Sequence, residues 1–143
     1  MKLSSRGHYG LTAMVYLAKL GLNKPIPLKR IAKDEDIPEQ FLEQIFVDLR
    51  KAGLVKSVRG SKGGYLLAGK PEQISVGNIV RILEGSENII DCIEDDNGNC
   101  CEKTDDCSTR LVWDRVRKSM ITVLDGMYLS ELALGGRSII DNL

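Results

Sequence analysis

Cys92, Cys100, Cys101 and Cys107 are all the cysteines in this 143-residue chain, and they fall in one short stretch. Thiolates act as nucleophiles, redox partners and soft metal ligands. An intracellular chain seldom keeps structural disulfides, so a local cluster of this kind points to metal or redox chemistry. Three chemistries fit the residue types: thiolate ligation of a metal group, disulfide switching among the four, and a structural zinc site. The adjacent pair Cys100-Cys101 is an awkward fit to the usual zinc spacings. Elsewhere the chain offers little for catalysis. His8 is the sole histidine, and the sequence has no nucleophile elbow, catalytic metal motif or phosphate-loop lysine pattern, so the reading is non-enzymatic.

Charge carries the second signal. The net charge is zero, yet residues 1–70 hold 13 Lys or Arg against 6 Asp or Glu, and residues 71–143 hold 7 against 14. A basic half joined to an acidic half suggests a polyanion-binding head and a separate body. The plainer alternative is chance clustering of solvated charges.

The elements that must carry these groups follow from periodicity. Residues 9–22 show apolar positions at Leu11, Met14, Val15, Ala18 and Leu22, an amphipathic helix ended by Gly21 and Asn23-Lys24-Pro25. Pro27 opens a short second helix with Leu28, Ile31 and Ala32 inward. Pro38 opens a third with Leu42, Ile45, Phe46 and Leu49 inward, stopped by Ala52-Gly53. The tight turn Asp34-Glu35-Asp36-Ile37 joins the second and third into a helix-turn-helix. Strands at 54–58 and 65–67 flank the turn Arg59-Gly60-Ser61-Lys62-Gly63-Gly64, and a hairpin directly after a helix-turn-helix is a wing. A fourth helix buries Val76, Ile79, Val80 and Leu83.

Residues 85–107 form a loop with no apolar period, and a long helix is expected over 108–127. Its stripe of Trp113, Val116, Met120, Val123, Leu124 and Met127 exceeds what the small head can cover, which makes it a dimerisation candidate. A short helix follows near 129–134. The expected fold is therefore mainly α with a small β-hairpin wing, a winged helix-turn-helix plus a long C-terminal dimerisation helix. The expected division is a DNA-binding domain at 1–84, a cysteine-rich loop at 85–107, the dimerisation and short helices at 108–134, and a tail at 135–143. No apolar run is long enough to span a membrane, and residues 1–6 lack a signal-peptide core, so the expected location is cytoplasmic.

A recognition helix offers its N-terminal polar face to base edges. Here that face is Glu39, Gln40, Phe41, Glu43 and Gln44, behind Pro38. Gln can pair bidentately with adenine, and Glu can accept from cytosine N4. At the wing, Arg59 and Lys62 stand among Gly60, Ser61, Gly63 and Gly64, so backbone and cation can both approach the sugar–phosphate chain or a narrow minor groove; Tyr65 follows. Lys2, Arg6, Lys29 and Arg30 are candidate phosphate contacts, and Tyr9 completes the set. A merely solvated helix face is the plain alternative for Glu39, Gln40 and Gln44. Helix-turn-helix, wing and local positive charge together favour double-stranded DNA.

Several of these segments resemble one family of regulators. Phe41-Leu42-Glu43-Gln44-Ile45-Phe46, Leu49-Arg50-Lys51-Ala52-Gly53-Leu54-Val55, Ser57-Val58-Arg59-Gly60 and Gly63-Gly64-Tyr65-Leu66-Leu67 look like the family that contains IscR, NsrR and CymR. So do the opening Met1-Lys2-Leu3-Ser4-Ser5-Arg6-Gly7, the segment Tyr9-Gly10-Leu11-Thr12-Ala13-Met14, Val76-Gly77-Asn78-Ile79-Val80, and Cys107-Ser108-Thr109-Arg110-Leu111-Val112-Trp113. The resemblance covers roughly residues 1–134. It implies a homodimeric winged-helix repressor or activator acting on a palindromic operator. Members such as CymR lack the cysteine loop, and this chain has it.

In cluster-binding members three loop cysteines ligate iron, which implies Cys92, Cys101 and Cys107 here. The spacing of Cys101 and Cys107 resembles the family's second and third ligands. Cys92 precedes them by a longer gap, with Glu94-Asp95-Asp96-Asn97-Gly98-Asn99 as a turn-rich bulge. Cys100 can replace Cys101 or serve as a spare thiol. The histidine ligand of IscR-type members falls at Arg110, which stays protonated and cannot ligate. His8 of the partner subunit is then the candidate fourth ligand. The resemblance favours a 2Fe–2S cluster, with 4Fe–4S as the alternative. It further implies cluster donor or scaffold proteins as partners and control of iron–sulfur cluster biogenesis, with nitric-oxide or thiol-redox sensing by the same cysteines as the alternative.

Overall fold

A computed structural model describes residues 4–20, 23–85 and 108–135. The helices are α1 (Ser5–Leu20), α2 (Leu28–Asp34), α3 (Glu39–Lys51), α4 (Val76–Glu84), α5 (Arg110–Gly126) and α6 (Leu129–Ala133). Strands β1 (Val55–Val58) and β2 (Gly64–Leu67) lie between α3 and α4, followed by a 3-10 turn at Pro71–Gln73. The two strands form one antiparallel hairpin. The result is the mainly helical winged arrangement that the sequence pattern predicts.

Backbone chemistry sets the helix starts. Pro27 and Pro38 sit at the cap positions of α2 and α3, with ψ of 141° and 127°, so each helix begins one residue later than expected. Proline brings the right φ but no N–H, and its extended ψ places it just outside the first turn. α4 starts on Ser75, whose Oγ accepts from the Asn78 N–H at 3.1 Å. It stops on Gly85 in the left-handed region, φ 75°. The turn between α2 and α3 holds Asp36 at φ 52°, a conformation that a short polar side chain tolerates better than a β-branched one.

The inward stripes of α3 and α4 match expectation. Leu42, Ile45, Phe46 and Leu49 are buried, as are Val76, Ile79, Val80 and Leu83. α1 departs from it. Its buried face is Gly7, Gly10, Ala13, Met14, Tyr16, Leu17 and Ala18, while the expected Leu11 and Val15 are only partly buried. Leu22 lies outside the described residues. The cause is that α1 is packed by α3, α4 and α6 at once, so a wide, glycine- and alanine-rich surface goes inward rather than one aliphatic stripe. A Cβ at Gly10 would run into Leu83 Cδ1 and press on Ile45 Cγ2, so glycine here permits the three-helix contact. Leu129 of α6 is fully buried in the same core.

α5 stands apart, because none of its residues is buried in the single chain. Leu111, Val112 and Val123 are 62%, 54% and 58% exposed. The end of α5 is fastened to the head. Arg81 Nη2 donates to both carboxylate oxygens of Asp125 at 2.5 Å. The Val76 N–H donates to the Met127 carbonyl at 2.8 Å, and the Leu129 N–H to the Ile74 carbonyl at 3.0 Å.

One half-buried polar contact joins α1 to α2. The Tyr16 hydroxyl donates to Asp34 Oδ2 at 2.5 Å, and Arg30 pairs with the same carboxylate at 3.8 Å. The hydrogen bond to Asp34, aided by burial, holds the phenol above its ordinary range. The folded chain therefore keeps this proton more tightly than the unfolded one. Its contribution is full below the ordinary tyrosine pKa and is lost as pH rises above it. Tyr16→Phe is expected to lower the unfolding free energy by about 1 kcal/mol at neutral pH and to flatten the alkaline decline, as read by urea denaturation across pH.

Candidate nucleic-acid interface

α3 divides cleanly. Its apolar side anchors the helix, while Glu39, Gln40, Phe41, Glu43 and Gln44 are all exposed, as is the preceding Pro38. Phe41 is 38% exposed and meets the partly buried Tyr9 edge to face, with ring centroids 5.5 Å apart. Tyr9 thus steadies an aromatic group on the polar face of α3. Lys29 and Arg30 are exposed on α2, where Arg30 also serves the Asp34 pair.

The hairpin is fixed at both ends. Its register pairs Val55 with Leu67, Lys56 with Leu66, Ser57 with Tyr65, and Val58 with Gly64. Tyr65 exchanges two backbone hydrogen bonds with Ile26, each 2.9 Å, so the strand is tied to the residue ahead of Pro27. The Tyr65 ring lies against Phe46 of α3, centroids 4.8 Å apart. At the tip, the Gly63 N–H donates to the Gly60 carbonyl at 3.0 Å and Gly60 takes φ 113°. Arg59, Gly60, Ser61 and Lys62 are exposed, whereas Gly63 is buried and Gly64 and Tyr65 partly so. This tip presents two cations and bare backbone on a braced support.

Arg6, like Arg30, is paired within the chain. Its guanidinium pairs with Asp48 of α3, and its Nε donates to the Leu83 carbonyl at 3.1 Å. Lys2 lies outside the described residues, as do Cys92, Cys100, Cys101 and Cys107. His8 is exposed in the first turns of α1, with its ring 5.8 Å from that of Tyr9. Arg110 is the first residue of α5. Among the described residues, no three His, Cys, Asp or Glu are grouped as metal ligands. No helix among them is long and apolar enough to cross a membrane.

Residues 3–134 match the family described as "Rrf2: Iron-dependent Transcriptional regulator". The chain belongs to the Rrf2 family. CymR of Bacillus subtilis is 41% identical over 133 residues, 93% of this chain and 90% of CymR. The solved CymR structure, described as the global cysteine regulator of B. subtilis, superposes with a TM-score of 0.78 over 93% of this chain and 96% of that one. IscR of Aliivibrio salmonicida is 39% identical over 132 residues, 92% of this chain and 77% of that protein. The structure of T. potens IscR gives a TM-score of 0.77 at 40% identity, covering 97% of this chain and 90% of the other. This Rrf2-family chain is a transcriptional regulator and not an enzyme, as its sequence indicates.

Within the Rrf2 frame, sequence reasoning did not find the partners of Arg6. Asp48 and Leu83 are remote from it along the chain, and no local periodicity marks such a contact. The Ser75 cap was not singled out either, though a serine directly ahead of an apolar stripe at helical spacing is the signal that could have found it.

Proposed function

We propose that this chain regulates transcription as a dimer that grips double-stranded DNA with α3 and the wing. The observation that carries this reading is the exposed polar face of α3 beside a braced, glycine-rich tip bearing Arg59 and Lys62. Glu39, Gln40, Phe41, Glu43 and Gln44, entered through Pro38, would address base edges. Arg59 to Gly64, with Tyr65 behind them, would address the backbone or minor groove, and Lys2, Lys29 and Tyr9 would flank the site. The two copies would meet along α5, where Leu111, Val112 and Val123 are exposed and Trp113, Val116, Met120 and Leu124 only half-buried in one chain. The division into a head at 1–84, a cysteine segment at 85–107, a dimer segment at 108–134 and a tail at 135–143 belongs to the same proposal.

Binding to a duplex selected from a randomised pool tests the reading. Arg59→Ala with Lys62→Ala is expected to reduce the slope of log affinity against log salt by about two, since each phosphate neutralised contributes about one. An unchanged slope in fluorescence-anisotropy titrations would remove the wing from the interface.

The cysteine segment makes this regulator a sensor. Cys92, Cys101 and Cys107, with Cys100 as the alternative second donor, are a soft thiolate set suited to an iron–sulfur cluster, and the family match is to iron-dependent regulators. When bound, such a cluster supplies bonds that respond to iron supply, oxidants and nitric oxide. Three thiolates leave one position to fill. Arg110 cannot fill it, and His8, exposed near the start of α1, makes His8 of the partner subunit the fourth-ligand candidate. The regulated process would be iron–sulfur cluster supply, with donor or scaffold proteins as partners. Anaerobic purification, a visible spectrum and iron and sulfide analysis test this and distinguish 2Fe–2S from 4Fe–4S. The likeness to CymR, a cysteine regulator by name, favours thiol switching as the second reading. A colourless protein that fails reconstitution but releases DNA reversibly on oxidation would select it.

A further inference from the structure

Arg6 joins three helices. It starts from α1, pairs with Asp48 of α3, and donates through Nε to the carbonyl of Leu83 in the last turn of α4 at 3.1 Å. Beside it, Ser4 Oγ donates to Glu84 Oε1 at 2.5 Å, and the Ser4 N–H reaches the same oxygen at 3.2 Å. One turn further along α1, Gly10 lets Leu83 and Ile45 approach with no room for a Cβ. The end of α4 and the body of α3 are therefore linked by a polar bridge laid over a close apolar contact. The Arg6 and Asp48 side chains are 33% and 39% exposed, at the rim of the packing rather than free in water.

The guanidinium fork suits this place, because its nitrogens can serve two acceptors in different directions at once. A lysine ammonium keeps the charge but sits at one point, and cannot hold both acceptors in the same geometry. Nε and one terminal nitrogen of Arg6 are thus already engaged within the chain.

We propose that Arg6 is a positioning residue that locks the last turn of α4 to the recognition helix α3, so that order at one end is felt at the other. This rests on the reading of α3 as the DNA-contacting helix. Coupling of this kind is reciprocal: a duplex that holds α3 must also hold the end of α4. The link matters because the cysteine segment begins directly after this turn in the sequence.

Backbone amide exchange at Leu83, Glu84 and Gly85 reads the coupling without requiring a cluster. The full-length protein is compared with and without the duplex it selects from a randomised pool. Arg6→Lys and Asp48→Asn are the variants, each close in volume to the native residue. The duplex is expected to slow exchange at these amides by about fivefold or more in the native chain and by less than about twofold in either variant. Arg6→Lys is expected to leave the salt slope of binding unchanged. Equal slowing in native and variant chains, or binding with no slowing in the native chain, overturns the proposal alone. Failure to select any duplex overturns the DNA-contacting assignment of α3 and the proposal with it.

Discussion

Alanine at Gly64 is expected to remove most DNA binding while leaving the helices folded. Gly64 holds φ 149°, and a Cβ there would strike the carbonyl carbon and oxygen of Ile26 and the nitrogen of Pro27. All three are backbone atoms, which cannot swing aside as a side-chain tip can. Relief requires the strand to part from Ile26, and that breaks the two 2.9 Å hydrogen bonds between Ile26 and Tyr65. The Val58–Gly64 pair that closes the hairpin goes with them. Unfolding free energy should fall by about 2–4 kcal/mol in urea titrations, the range for lost backbone pairing plus strain. Duplex affinity should fall by about tenfold or more, since two cations and bare backbone leave the phosphates. Gly69→Ala is the control: nothing lies within 4 Å of a Cβ there, so neither quantity should move appreciably. Native stability and affinity in Gly64→Ala would show that the wing is not held through Ile26.

The second large effect concerns the cysteines. Cys101→Ser with Cys107→Ser is expected to abolish the visible chromophore and acid-labile sulfide of anaerobically prepared protein. Serine oxygen is a harder donor than thiolate and is protonated at neutral pH. Operator affinity should then shift by about fivefold to 150-fold relative to the loaded native protein, the usual span of a coupling between two sites. Cys100→Ser should keep the chromophore if Cys101 is the ligand and lose it if Cys100 is. His8→Ala should leave a cluster that forms but decays faster, provided His8 of the partner subunit completes the ligand set. Identical affinity for loaded native protein and the double serine variant would disconnect the cysteines from DNA binding. Equal chromophore in the two would remove them as ligands.

Much of the scaffold was legible because its signals are local. The stripe Leu42, Ile45, Phe46, Leu49 repeats at helical period, and Leu54 to Val58 alternates ahead of a glycine-rich turn. Pro27 and Pro38 marked the starts of α2 and α3, though each stands one residue outside its helix. The inward face of α1 was not legible, because glycines and alanines form much of it and hydropathy gives them little weight. The 3-10 turn at Pro71–Gln73 is too short to carry a period. For the interface, residue type and order sufficed to nominate the polar face of α3 and the wing tip. At Arg6 they nominated a phosphate contact and did not reveal that Asp48 and the Leu83 carbonyl stand beside the guanidinium. The cysteines narrow the chemistry by type to metal ligation or thiol redox, but which of Cys100 and Cys101 would take part is a three-dimensional matter.

The fastening of α5 has a mechanical consequence. Its C-terminal end is pinned to the head by the Arg81–Asp125 pair and the Val76–Met127 hydrogen bond, while none of its residues is buried in one chain. From Asp125 back to Arg110 the helix runs about 22 Å at ~1.5 Å per residue, so a pivot of about 5° swings its tip by about 2 Å. A helix pinned through its C-terminal end has the leverage of an arm, and Cys107 lies just ahead of its N-terminal end in the sequence. On the proposed reading, in which two copies meet along α5, a small angular change at the pin would become a displacement that matters against half-sites about 34 Å apart on a duplex.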